Sequence, residues 1–383
     1  MDNIFLDVDG KKYTGWKQIS VQKSLENFCG QFSFQASALD GKLFPITMGS
    51  SCKIWVNDTK VLTGWVEKIQ VRTSADNHEI TVSGRDITND IIDSQISHPE
   101  MNPPVTLKQV VERVLKELGI TEIRVIDRFN LKPFKSILTD GLGNTAFDFI
   151  ESYARERQIL LTTNADGNIV FERAADNKLK TILSTRRKDA ATILNGEVNY
   201  DDSKRFHIYN VAGQQNNAAL AAVFAKIEHD TKKSVHVSGN VVDNEIRKTR
   251  KLILQTDTSD SEDASGNIER AKWEANYRRT QSFTYSCDVQ GFKPLKDEGI
   301  WLPNYLVTVI DEYANLNAIT PKGIHAPLLI SEVNYSQSVD QGTITKLKLV
   351  TRDAFTTRAS KPPKETKDAG LLQQIFGKLE KSA

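Results

Sequence analysis

Gly64-Trp65-Val66-Glu67-Lys68-Ile69-Gln70-Val71, then Ser74-Ala75-Asp76, then Glu79-Ile80-Thr81-Val82, closing on Gly84-Arg85-Asp86: this stretch decides the fold, because the chain repeats its grammar near the other end. The second copy runs Leu328-Leu329-Ile330-Ser331-Glu332-Val333-Asn334-Tyr335, then Ser338-Val339-Asp340, then Thr343-Ile344-Thr345, and closes on Arg352-Asp353-Ala354-Phe355. Each copy is an alternating strand, a polar turn, a second alternating strand and an Arg-Asp exit. Asp76 to Ile80-Thr81 and Asp340 to Ile344-Thr345 have the same spacing, and the second copy runs three residues longer before its Arg-Asp. Turns reuse Asp, Gly and Ser, so shared hairpin chemistry is one explanation. The sharper one is a duplicated β unit whose copies are separated by inserted sequence.

Working outward, residues 1–94 read as short strands joined by turns, with an Asp9-Gly10 hairpin signal, and form a first β-barrel. The Pro-rich stretch Pro99-Glu100-Met101-Asn102-Pro103-Pro104 marks a change of pattern. Thr106 caps a predicted helix whose apolar face is Leu107, Val110, Val111, Val114, Leu115 and Leu118, stopped by Gly119. A second helix carries Phe147, Ile150, Tyr153 and Ala154, and a hairpin turns at Asn164-Ala165-Asp166-Gly167, so residues 95–180 are an α+β domain. Residues 181–212 and 298–357 are assigned to a second, discontinuous β-barrel. An inserted peripheral domain, 213–297, lies between them and includes a helix from Asn267 to about Arg279. Residues 358–383 are a linker, Lys361-Pro362-Pro363-Lys364, and a short amphipathic helix with Leu371, Leu372, Ile375, Phe376 and Leu379 on one side. A helix of that length is marginal in water and needs a partner surface, which makes it a partner-docking segment or a frayed tail.

Composition narrows the function. The 383 residues suggest about two to four domains. Fifty Lys and Arg against 49 Asp and Glu leave no global field to draw the chain to nucleic acid or an anionic membrane. No apolar run approaches the roughly 20 residues that cross a bilayer, so membrane insertion is not expected. Cys29, Cys52 and Cys287 are far apart and outside metal spacing; they read as small buried apolar groups in a reducing cytoplasm. The six histidines are scattered, and Walker, GxSxG and GxGxxG patterns are missing. No catalytic residue, metal or cofactor is expected. The recurring charges Arg85, Asp86, Arg352 and Asp353 are either exposed pairs closing a strand or ion pairs fixing a domain junction or subunit contact. A carbohydrate- or peptide-binding module, with Trp16, Trp55, Trp65, Trp273 and Trp301 as stacking surfaces, is the alternative. A cell-wall hydrolase lacks the acid pair, the metal ligands and the Cys-His pairing it would need.

Four ordered segments carry a resemblance to a known family. They are Val82-Ser83-Gly84-Arg85-Asp86 with Asp90-Ile91-Ile92-Asp93, and Phe147-Asp148-Phe149-Ile150-Glu151 through Arg155-Glu156-Arg157 with the Asp166-Gly167-Asn168 turn. Arg270-Ala271-Lys272-Trp273-Glu274 leading to Val289-Gln290-Gly291-Phe292 is the third, and Trp301-Leu302-Pro303-Asn304 with the Gly342 to Phe355 hairpin is the last. Together they resemble the baseplate hub proteins of Mu-type contractile-tailed phages, whose fold is shared with the hub half of type VI secretion spike proteins. The stretch from Gly213 to Asn240 departs from the pattern, and Phe292 stands where the family is expected to carry Trp. The resemblance implies two pseudo-symmetric β-barrel tube domains per subunit and a homotrimer that imitates sixfold order. It also implies contacts with the tail tube protein, the central spike protein and other baseplate components. DNA would be met only in transit through the lumen of a virion tail assembled in the host cytoplasm.

Overall fold

A computed structural model describes residues 2–37, 45–74, 78–98, 100–135, 137–139, 143–157, 159–174, 177–185, 191–213, 238–256, 264–295, 298–314, 316 and 327–352. Alternating apolar residues build the first unit: β1 (Ile4–Val8), β2 (Lys11–Tyr13), β3 (Gln18–Ser24), β4 (Gln31–Ser37), β5 (Ser51–Val56), β6 (Thr59–Thr73) and β7 (His78–Asp86). The second unit is β13 (Lys178–Ser184), β14 (Ala191–Tyr200), β18 (Phe283–Gln290), β19 (Leu306–Ile310), β20 (Leu328–Ser338) and β21 (Gly342–Thr351). Between the units lie α1 (Asn89–Asp93), β8 (Glu100–Met101), α2 (Leu107–Glu117), β9 (Val125–Ile126), β10 (Leu138–Thr139), α3 (Ala146–Glu156), β11 (Leu160–Thr163) and β12 (Ile169–Glu172). Inside the second unit is an insert of β15 (Ile208–Gly213), β16 (Ser238–Val242), β17 (Lys251–Thr256) and α4 (Ala264–Gln281).

The duplication is written in the topology. Neighbouring strands of the first unit run β3, β4, β7, β6, β5, β1, and those of the second run β14, β18, β21, β20, β19, β13. Matched position by position, the two series also follow the same chain order. Both defining hairpins carry a β-bulge at the matching place, at Glu67 between Val66 and Lys68 and at Ser331 between Ile330 and Glu332. The bulge has one cause in both. Val66 and Ile69, like Ile330 and Val333, are three residues apart, and only an extra residue returns the second of each pair to the core face. Register places Val350-Thr351, not Arg352-Asp353, opposite the first residues of the second hairpin, where Arg85-Asp86 stand in the first.

Closure distinguishes the units. β19 pairs with both β13 and β20, which closes the second unit into a six-stranded barrel. In the first unit β3 gives its second edge to β20, so β1 pairs outward with β2 and the ring stays open among the described residues. The sixth position also differs in direction: β13 is parallel to β14 and β19, whereas β1 is antiparallel to β5. The result is a 13-stranded sheet over one continuous core, from Ile4, Leu6 and Phe34 to Tyr285, Trp301 and Leu349. Burying that much apolar surface on both sides of the β20–β3 seam makes the two units one body.

Pairing redraws the edges of the insert. β18 bonds to β14 and β21 within the barrel sheet, although residues 213–297 are read from sequence as insertion. β15, read as barrel strand within 181–212, instead pairs with β16 and β17. Both strands alternate, and alternation does not identify a neighbour. β13 likewise straddles the 180/181 boundary. The α+β domain has its own core, in which α2 and α3 are each capped by a reciprocal box, Thr106 with Gln109 and Thr145 with Asp148.

Candidate functional site

β7 ends where the first unit meets the α+β domain, and the predicted pair Arg85-Asp86 lies at that joint. The two side chains point to opposite faces of the strand and meet different surroundings. Arg85 grips Glu67 with two parallel bonds, Nε to Oε2 and Nη2 to Oε1, both 2.8 Å. Its Nη2 also reaches Asp93 Oδ2 at 2.5 Å, across to α1. The bulge aims Glu67 at this guanidinium, and Asn89 donates to the same Glu67 carboxylate. The hydrogen bonds that Arg85 donates to Glu67 and Asp93 hold its pKa above the ordinary value, and the same bonds hold Asp93 below its own.

Asp86 is fully buried. Its Oδ1 accepts from Thr88 N at 3.1 Å and Thr88 Oγ1 at 3.2 Å, and its Oδ2 accepts from Thr163 Oγ1 at 2.9 Å. Thr163 also accepts at its carbonyl from Lys23 Nζ, 3.0 Å away, so one β11 residue bridges a cation on β3 and a carboxylate on β7. Burial pushes the Asp86 carboxyl up against the opposing pull of Lys23, and burial lowers Lys23 against the pull of Asp86. The β11–β12 turn completes the joint. Thr63 Oγ1 donates to Ala165 O at 2.8 Å, and Lys60 pairs with Asp166. Gly167 has φ +79°, and a Cβ there would lie 2.3 Å from Ile87 Cγ1, so only glycine lets the turn approach so closely.

This site has the chemistry of a rigid coupling. Asp86, Thr163 and Lys23 are linked across β7, β11 and β3, as a rigid coupling of the α+β domain to the β unit requires. Cys29, near Thr88, is pushed up to about 12 by burial and is no nucleophile. Among the described residues no three His, Cys, Asp or Glu gather as metal ligands, and no helix is long and apolar enough to cross a membrane.

The sequence reading brings Arg85 and Asp86 to one place but misses their partners Glu67, Asp93, Lys23, Thr88 and Thr163. Only Glu67 had a signal, the three-residue gap between Val66 and Ile69. Arg352 follows the last strand and is exposed; Asp353 and the apolar set Leu371, Leu372, Ile375, Phe376 and Leu379 lie outside the described residues. Trp273 and Trp301 are buried and Trp16, Trp55 and Trp65 half-buried, so none is an open stacking platform.

Known proteins share this architecture. Residues 3–86 match the family described as Mu phage baseplate assembly protein GpP-like, N-terminal, and residues 88–173 match baseplate hub protein gp44-like, second domain. The baseplate hub protein gp44 of Escherichia phage Mu is 27% identical over 359 residues, covering 92% of this chain and 89% of that one. The 43 kDa tail protein of prophage MuSo2 from Shewanella oneidensis superposes with TM-score 0.76 at 25% identity, over 92% of this chain and 99% of that one. A type VI secretion system component from E. coli, described as structurally similar to T4 tail proteins gp27 and gp5, shares the fold with TM-score 0.54 at 12% identity, over 90% of this chain and 76% of that one.

Proposed function

We propose that this chain, which is similar over nearly its whole length to the Mu-type baseplate hub proteins, is the hub of a contractile phage tail. Three copies form a ring in which six β units imitate sixfold order. One face of the ring meets the hexameric tail tube and the other receives the trimeric central spike, with the lumen left for genome passage. Its role is structural, in the virion baseplate, with assembly in the host cytoplasm. The observation that carries this reading is the internal duplication: two six-strand series with the same neighbours, the same chain order and the same bulge. A threefold adaptor to a sixfold tube requires such a repeat, because each subunit must present two similar units to the tube.

The Arg85–Asp86 joint serves this role by holding the α+β domain rigid against the ring. The C-terminal segment around Leu371, Leu372, Ile375, Phe376 and Leu379 docks on a neighbouring subunit or partner. Sedimentation of the purified chain, alone and with its spike partner, tests the proposal, together with electron microscopy for rings. A particle that remains a monomer in both conditions removes it. Unchanged assembly after deletion of residues 361–383 removes the docking role of that segment alone.

A further inference from the structure

The small sheet of the insert has two faces with opposite fates. Tyr209 and Val211 of β15, Val241 of β16 and Leu252 and Leu254 of β17 pack with Ala271 and Ala275 of α4. Alternation sends Ile208, Val242, Lys251 and Ile253 to the other face. Register sets Ile208 between Val242 and Lys251, and Asn210 between Asn240 and Ile253. On this face Val242 is 50% and Ile253 73% exposed.

The rim of the face is basic for a definite reason. Between β16 and β17 the acidic residues Asp243 and Glu245 are both engaged by Arg205, at 2.7 and 2.6 Å, and by Arg279, at 3.2 and 3.5 Å. Asp243 is buried under these guanidinium groups, and the Glu245 side chain, 66% exposed, is paired with both. Among the described residues, Arg247, Lys248 and Lys251 are exposed and form no ion pair. An apolar centre of Ile and Val beside unpaired cations has the anatomy of a protein interface. Among the described residues, nucleic acid would find no exposed aromatic ring on this face to stack on.

We propose that this outer face, centred on Ile253 and Val242 and rimmed by Arg247, Lys248 and Lys251, docks an acidic-rimmed protein surface of another tail component. The inference rests on the hub reading, because it takes the insert to face a neighbour in the assembled tail. Charge complementarity selects the partner: carboxylates opposite the three cations steer the encounter, and desolvated Ile253 holds it.

A zero-length carbodiimide, which joins lysine amines to carboxylates, tests this in tail particles containing the full chain. The expected result is a cross-link from Lys248 or Lys251 to an Asp or Glu of a different protein. It should be lost when the particles carry Lys248→Glu with Lys251→Glu, and weakened by Ile253→Ser, with the oligomeric mass of the isolated chain unchanged. Cross-links only within the chain, or only between its copies, overturn the proposal, as does retention of duplex DNA by the isolated chain that the double variant abolishes. If the chain is missing from every tail particle the hub reading fails with it. If it is present but Lys248 and Lys251 remain uncoupled, only the docking inference fails.

Discussion

Replacing Asp86 by alanine should cost far more than replacing its neighbour Arg85, although Arg85 makes the more conspicuous ion pairs. Asp86 is fully buried and accepts three hydrogen bonds, from Thr88 N, Thr88 Oγ1 and Thr163 Oγ1. Its loss leaves a buried N–H without an acceptor, costing about 1–3 kcal/mol. It also removes the negative charge whose pull opposes the effect of burial on Lys23. The upper end of that range, about 3 kcal/mol, is expected, roughly a hundredfold in the folded-to-unfolded ratio. Arg85 is 33% exposed, and its partners Glu67 and Asp93 are 29% and 53% exposed, so Arg85→Ala should cost only about 1 kcal/mol. Urea titration followed by tryptophan fluorescence reads both, and Trp65, packed against the α+β core, reports this joint directly. Asp86→Asn separates charge from shape: a double-mutant cycle with Lys23→Met should show coupling between the two positions. Equal midpoints for Asp86→Ala and Arg85→Ala would falsify the coupling assigned to this site.

Three further outcomes follow from the same geometry. Gly84→Ala places a Cβ 1.9 Å from Trp65 O, so the β6–β7 strands must shift, at about 3 kcal/mol; a wild-type urea midpoint would contradict this. Asp93 is held below its ordinary value by Arg85, so its contribution is present above the unfolded pKa of roughly 3.9 and is lost as pH falls through the lower folded value. Thermal melts of the wild type should therefore lose stability in that acid window, and Asp93→Asn should lose less; parallel curves would refute it. Burial pushes Cys29 and Cys52 up to about 12 and Cys287 higher still, so a disulfide reagent at neutral pH should label none of them until denaturant is added.

Much of this protein was legible in its sequence because local rules act over a few residues. Thr106 and Gly119 delimit α2, and the structure ends that helix at Glu117, before Gly119 takes φ +73°. The helix expected from Asn267 to Arg279 runs Ala264–Gln281. The two repeated hairpins are β6–β7 and β20–β21, because alternation and turn chemistry specify a hairpin without help from the rest of the chain. β13 had no such signal; its Lys-Leu-Lys-Thr-Ile-Leu-Ser pattern is short and lies beside the domain boundary.

Tertiary structure alone decided partners. Alternation marked β15 and β18 as strands, yet the sheet each joined depended on which edge was open at close range. The same holds for β3, whose second edge went to β20 and left the first ring unclosed. The Arg-Asp likeness of the two hairpins did not survive register: the bulge is common to both, and the longer return strand of the second puts Val350-Thr351 in the matching place. Sequence fixes what a residue prefers within a few neighbours. Which carboxylate lies buried near Lys23 is set by contacts between segments dozens of residues apart, where the free energy belongs to the assembled core.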